Sequence, residues 1–293
     1  MAKKKVTFAD IAAYTNFSKT TISRYFNNPD SLTLENQEKI AAALEELGYQ
    51  ENKLAKVLAN GKSEFVGIII PNLYLHYYSE ILNQLLSSYS KFGYKFLVFV
   101  SNDGREREQQ YINELLAYKI EGLIILSHTF SSTELAKCNI PIVAIEREAK
   151  HICSVDTDNY MGGLQATSLL IRNHCDILIH VNVPVPENVP AHNRITAFED
   201  TCQKYHVPYE LMLGDLGSTY ETTFDRIKET FETIEEKYPD RKKGIFFAND
   251  TYANIFLNLI IQKYGHLPEQ YRLVGFDNSP VSYTHLRAHE TTL

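Results

Sequence analysis

The chain has 293 residues, 44% of them apolar and 22% charged, with 13 Gly and 10 Pro. That is enough for two or three units with their own cores, and it excludes a disordered or collagen-like chain. The longest apolar run, Phe65 to Pro71, is far short of the roughly 20 residues that cross a bilayer, so no membrane partner is expected. Lys3, Lys4 and Lys5 lead into no apolar segment, so no secretory signal is read and a cytoplasmic protein is expected. The four cysteines, Cys138, Cys153, Cys175 and Cys202, form no Cys-x-x-Cys pair. They are read as reduced structural thiols, and no metal or cofactor is expected. The net charge of −7 argues against nucleic acid, but its distribution does not. Residues 1 to 28 carry five basic side chains against Asp10 alone, and residues 1 to 62 are positive overall while the remainder is strongly acidic. A small basic head on an acidic body is a footprint of a nucleic-acid reader joined to something else.

The head reads as three short helices. Thr7-x-x-Asp10 resembles a capping box, and Ile11, Ala12 and Tyr14 follow it. Ser18 is a second N-cap candidate, leading through Ile22 and Tyr25 to the break at Asn27-Asn28-Pro29-Asp30. A third start lies at Thr33, with Ile40, Leu44 and Leu47 on one face and Gly48 as a left-handed terminator. From Phe65 the pattern changes to short apolar runs alternating with helical periodicity. The runs are 65–70, 94–100, 122–126, 140–145, 176–183, 209–213, 243–249 and 271–277. Helices are expected between them, including 191–205 and 219–237. Such runs read as strands buried on both faces, and strand-helix alternation implies right-handed crossovers and parallel sheets. The predicted fold is an all-α helix-turn-helix headpiece followed by two successive α/β units.

Within the head, Ser18 to Asn27 has the pattern of a major-groove helix. Lys19, Thr20, Ser23, Arg24 and Asn27 share one face, while Ile22 and Phe26 point inward. Arg24 is suited to bidentate donation to guanine, with Lys19 and Thr20 at the helix tip. Thr7, Ser18, Thr21, Ser23 and Asn27 are read as phosphate ligands. A surface helix of an ordinary three-helix unit has the same spacing, so the pattern alone leaves both readings open. In open parallel sheets ligands bind beyond the carboxyl ends of the strands, which selects Asn249-Asp250 and Asp277-Asn278. Asp250 is equally placed to cap a helix. No Ser-His-Asp arrangement, phosphate-cradling glycine loop or metal-ligand spacing stands out, so no enzyme is expected.

The segment VTFADIAAYTNFSKTTISRYFNN at 6–28 resembles the headpiece of the lac/gal repressor family of bacterial transcription regulators. The likeness continues through Glu45-Glu46-Leu47-Gly48-Tyr49 and Asn52-x-x-Ala55-x-x-Leu58, and covers the body to about residue 280. The resemblance implies a headpiece over 1–50, a hinge over 51–62, and over 63–280 a two-lobed, periplasmic-binding-protein-like sensor that also dimerises. It makes Lys19, Thr20 and Arg24 base-facing. It makes Asn52, Ala55 and Leu58 part of a hinge that turns helical on operator DNA and wedges Leu58 into the minor groove. Glu51 stands where the family usually has Pro. In the body, Asp158 and Arg194 match positions that hydrogen-bond effector in the family, beside Asn249 and Asp277. Carboxylate, amide and guanidinium together suit a sugar or sugar derivative, with Tyr77 and Tyr78 closing the cleft by stacking on a ring. Asp158 is also a candidate helix cap.

The last stretch, Val281 to Thr291, resembles the translation of a transposase-delivered sequencing adapter. Residues 281–293 are therefore expected to be a non-native tail on an incomplete sensor. The resulting expectation is a dimeric, ligand-responsive repressor on a pseudo-palindromic operator. The rival reading is a solute-binding protein without DNA function.

Overall fold

The computed structural model describes residues 6–50, 61–101, 104–147 and 150–279. The hinge positions Asn52, Ala55 and Leu58 and the tail expected over 281–293 lie outside the described residues. The chain divides into two compact units, residues 1–62 and 63–293.

The head is built on α1 (Phe8–Thr15), α2 (Lys19–Asn27) and α3 (Leu34–Glu46), with a short 3-10 turn at Pro29–Ser31 between the last two. Each helix starts where its capping chemistry predicts. The Thr7 backbone N–H donates to the Asp10 carboxylate at 2.8 Å, Ser18 Oγ accepts the Thr21 N–H at 3.1 Å, and Thr33 Oγ1 accepts that of Asn36 at 3.4 Å. Asn16 at φ 58° and Gly48 at φ 60° supply the left-handed turns that end α1 and α3. Ile11, Ile22 and Ile40, one from each helix, are fully buried, and Phe8 stacks on Phe26 at 5.1 Å beside Tyr49. Burying each isoleucine contributes about 1.5 to 3 kcal/mol, the main stabilising term for so small a core. Tyr14, on the same helix as buried Ile11, is 55% exposed.

The body has two parallel sheets. The first takes β1 (Phe65–Ile70), β2 (Lys95–Val100), β3 (Gly122–Ile125), β4 (Ile142–Ile145) and β5 (Cys153–Val155) in the order β2-β1-β3-β4-β5. Its helices are α4 (His76–Ser87), α5 (Tyr89–Phe92), α6 (Arg105–Ala117) and α7 (Ser132–Leu135). The second takes β6 (Ile177–Asn182), β7 (Tyr209–Leu213), β8 (Lys243–Phe247) and β9 (Tyr271–Val274) in the order β7-β6-β8-β9. Around it lie α8 (Asn159–Arg172), α9 (His192–Tyr205), α10 (Tyr220–Lys237) and α11 (Asp250–Tyr264). All seven strand pairings among the described residues are parallel.

Two expectations need adjustment. Strand β2 is half-buried along its whole length, because it sits at a sheet edge with a neighbouring strand, β1, on one side only. Elements β5 and α7 were not anticipated, since three exposed residues and a single turn carry no usable periodicity. Central β6 and β8 are buried throughout, as their continuous apolar runs require. Gly67 in β1 lets α6 pack closely on the sheet: a Cβ there would meet the tips of the Leu115 and Ile120 side chains at 2.9 and 3.0 Å and force them to shift.

In both sheets the central strand, β1 or β6, sends its first crossover to one side while the next strand returns on the other. The resulting switch points open at the carboxyl ends of the strands, where open α/β sheets leave a crevice.

Candidate functional site

On α2, Lys19, Thr20, Arg24 and Asn27 are exposed, Ser23 is half-buried, and Ile22 is fully buried in the head core with Phe26 packed against it. No described residue hydrogen-bonds the side chains of Lys19, Thr20 or Arg24. By contrast, Ser18 Oγ and Thr21 Oγ1 are 2.9 Å apart, and Asn27 Nδ2 donates to the Ser23 carbonyl at 3.0 Å. The helix thus presents two cations and a hydroxyl on a face otherwise held by its own local hydrogen bonds. That combination suits base edges and phosphate.

In the body, side chains from both lobes converge at the switch points. After β4, Glu146 and Arg147 are buried, Glu146 with φ 53°. Arg147 donates both terminal nitrogens to the carbonyls of Ser127 and Phe130. Glu146 accepts from the Thr157 N–H and from Asn159 Nδ2, the latter at 2.8 Å. Asn159 Oδ1 in turn accepts from Arg194 Nε at 2.6 Å, and Arg194 Nη1 donates to the Ala248 carbonyl at 2.7 Å. The guanidinium lies 3.7 Å from the Phe276 ring centroid. A continuous polar chain therefore runs from the first lobe through α8 and α9 to the end of β8.

Asp277 completes this group from the loop after β9. Asp250, buried at the start of α11, holds that loop by accepting the Ser279 N–H at 2.6 Å, while its own N–H donates to the Phe276 carbonyl at 2.8 Å. A Cβ at Gly275 would collide with the Asp250 carboxylate, so glycine is needed for this approach. Asp277 itself has φ 93°, a strained value for a residue with a side chain, and no described residue hydrogen-bonds its carboxylate. Burial pushes its pKa up to about 7, with Arg194 opposing and Asp250 and Glu146 reinforcing the shift.

Tyr77 and Tyr78 open α4 with their rings 5.2 Å apart in a T-shaped pair. Burial pushes Tyr78 up to about 12, followed by the charge of Asp277, and it also raises Tyr77, with Glu146 next in effect. Burial lowers the Arg194 pKa, opposed by Asp277 and Glu146. Tyr74 Oη bridges to the second lobe, within 3.4 Å of both the Gly217 carbonyl and Thr223 Oγ1, and Leu75 packs on the second lobe's core.

The structure brings Tyr77, Tyr78, Arg194 and Asp277 together. Asp158 takes the capping role open to it: its Oδ1, on an exposed residue, accepts the Met161 N–H at 3.0 Å. The cap of α11 is Asn249, whose Oδ1 accepts the Tyr252 N–H at 2.9 Å, and not Asp250, which is the first residue inside the helix. Sequence reasoning missed Glu146, Arg147, Asn159 and Phe276. The carboxyl-end rule, applied to β4 as it was to β8 and β9, points to Glu146-Arg147. Asn159 makes a local bond to the Thr157 carbonyl, but the partners that place it in the cleft lie 13 and 35 positions away. Among the described residues, no group of three or more His, Cys, Asp or Glu is arranged to hold a metal, and no helix is long and apolar enough to cross a membrane.

Residues 7–52 match the family model of bacterial regulatory proteins, lacI family, and residues 63–293 match that of periplasmic binding proteins and sugar binding domain of LacI family. The chain belongs to the lacI family of bacterial regulatory proteins. It resembles the sucrose operon repressor of Streptococcus mutans, 28% identical over 271 residues covering 92% of this chain and 82% of that protein. The ribose operon repressor of Halalkalibacterium halodurans is 25% identical over 276 residues, 94% of this chain and 81% of that one. A crystal structure of the lac repressor dimer bound to operator and the anti-inducer ONPF has the same fold. Its TM-score is 0.81 at 21% identity, over 97% of this chain and 86% of that chain. As a lacI-family member the protein is a DNA-binding transcription regulator whose headpiece is joined to a ligand-sensing, two-lobed body.

Proposed function

We propose that this regulator is a cytoplasmic repressor without catalytic activity, which binds a pseudo-palindromic operator as a homodimer and responds to a small sugar or sugar derivative held in the body cleft. The observation that carries the effector half is the polar chain Glu146-Asn159-Arg194-Ala248 ending beside the Asp277 carboxylate, which no described residue hydrogen-bonds. Carboxylate and guanidinium side by side can accept from and donate to neighbouring hydroxyls, and Tyr77 and Tyr78 provide aromatic walls for a sugar ring. Asn249 and Asp158 act in this reading by fixing the helix starts that border the cleft.

The DNA half assigns Lys19, Thr20 and Arg24 to base edges and Thr7, Ser18, Thr21, Ser23 and Asn27 to phosphates. Asn52, Ala55 and Leu58 form the minor-groove hinge. Effector binding changes lobe closure and so the spacing of two heads, with a coupling of about 1 to 3 kcal/mol typical of such linkage. The relatives named for sucrose and ribose operons support a sugar effector. The test is selection from a palindromic-site library followed by fluorescence anisotropy. Sequence-selective binding that is lost in Arg24→Ala and modulated by a sugar supports the proposal. Selective binding indifferent to Arg24→Ala removes the assignment of α2.

A further inference from the structure

We infer that Phe276, seated against the bare backbone of Gly162, is a positioning residue for effector recognition: it fixes the tilt of the Arg194 guanidinium and so the direction in which its remaining donors point beside Asp277. This refinement rests on the effector reading above. Arg194 is held at Nε by Asn159 Oδ1 at 2.6 Å and at Nη1 by the Ala248 carbonyl at 2.7 Å. Two in-plane bonds define an axis, and a planar group remains free to tip about it. The Phe276 ring removes that freedom. Its centroid lies 3.7 Å from the guanidinium carbon, a separation that a flat approach permits and an upright one does not, since tipping would drive nitrogens into the ring. Burial disfavours the Arg194 charge, so the electron-rich ring face also offsets lost hydration.

Several elements hold the ring in place. The Phe276 carbonyl accepts the Asp250 N–H of α11 at 2.8 Å, and the side chain packs on the apolar cluster that includes Ala166, Leu170, Phe198 and Phe246. The tip of the ring lies where a side chain at Gly162 of α8 would be: a Cβ there would stand 2.5 Å from Cε2 and 2.8 Å from Cζ. With Arg194 over the ring's face, such a Cβ forces the ring to give up its place. The next residue, Gly163, admits the backbone of Arg194 in the same way, since a Cβ there would lie 3.0 Å from the Arg194 carbonyl oxygen. One glycine therefore seats the Arg194 backbone, and the other seats the ring that levels its side chain. A phenylalanine kept only to fill the core has a different signature, because leucine preserves apolar packing but supplies no face for the cation.

The test uses the whole chain and two readouts in Phe276→Leu, Gly162→Ala and the double variant. The first, made without ligand, is the NMR signal of the Arg194 Nε–H, assigned by its absence in Arg194→Lys, which an aromatic face shifts upfield. The second is calorimetric titration with sucrose, D-ribose, D-fructose and D-glucose. The expected result is loss of the upfield shift in both single variants and sugar affinity weaker by roughly ten-fold in each. The double variant is no weaker than Phe276→Leu, since no ring is left for the added methyl to displace. Alanine is the better helix former, so a loss of affinity in Gly162→Ala is not traceable to unfolding of α8. An Arg194 signal indifferent to both substitutions overturns the positioning role. A signal that moves while sugar affinity stays within about two-fold overturns the part given to the stack in recognition and leaves the effector reading standing. Binding of none of the sugars to the folded, unsubstituted protein overturns the effector reading, and the recognition role with it, whatever the Arg194 signal shows.

Discussion

Replacing Asp277 by Asn tests whether the cleft stores strain for function. The carboxylate sits in a loop held by Asp250, lacks a hydrogen-bond donor among the described residues, and titrates near 7 rather than at the ordinary 3.8. Each pKa unit is worth about 1.4 kcal/mol, so keeping this group ionised in the folded state costs about 4 kcal/mol at pH 8. A folded-state pKa raised above the unfolded one means that the folded protein binds the extra proton. The penalty is therefore complete above pH 7 and fades as pH falls toward 4. An amide at the same place retains a desolvation cost of about 1 to 2 kcal/mol, which leaves Asp277→Asn more stable by about 2 to 3 kcal/mol at pH 8. For a body of this size that raises Tm by roughly 5 to 10 °C, while sugar response is lost. Thermal unfolding from pH 4 to 8, followed by circular dichroism with and without sugar, measures both effects. A variant that is destabilised at pH 8, or whose gain does not shrink toward pH 4, refutes the reasoning.

His180 behaves in the opposite sense. It is fully buried in β6 with Nδ1 2.9 Å from the Phe246 carbonyl, and burial lowers its pKa to about 4. Its contribution is complete above the unfolded value near 6.5, and about 3 kcal/mol is lost as pH falls toward 4. Urea titrations of His180→Gln are expected to show a flatter pH dependence across that window, and an unchanged slope rules the histidine out. Arg24→Ala is expected to weaken specific operator binding by about 1 to 3 kcal/mol and to relax base preference at one position, read by anisotropy on a panel of half-sites. Ile22→Ala, which removes a fully buried side chain from the head, costs about 2 to 5 kcal/mol. It is expected to abolish DNA binding while the body's Tm stays put, and a shared loss of Tm contradicts the independence of the two cores. Tyr74→Phe deletes two long hydroxyl contacts to the second lobe and is expected to shift the sugar midpoint by less than about 1 kcal/mol without changing sugar-free operator affinity.

Much of the fold was legible because its determinants are local. Ser18 and Thr33 lie one residue before the helices they cap, and the 65–70 and 209–213 runs coincide with β1 and β7. The exposed face of α2 follows directly from helical spacing about Ile22. The cleft was legible in part. Arg194 and Asp277 were anticipated and are brought together, whereas Glu146 and Arg147 were passed over although they follow an anticipated strand. Asn159 was overshadowed by Asp158, whose capping signal is the stronger one in sequence.

By itself, the amino-acid sequence determined what depends on neighbours within one helical turn or on a single strand's alternation: the three-helix head, the parallel α/β order of the body, and the cationic face beginning at Lys19. Only the tertiary structure decided which polar groups remain free for a ligand. That property depends on partners as distant as Glu146 and Asn159, Arg194 and Ala248, or Asp250 and Ser279. A side chain's chemistry in a cleft is what is left after its hydrogen bonds to remote chain segments have been made, and those pairings exist only once the chain has folded around the carboxyl ends of its sheets.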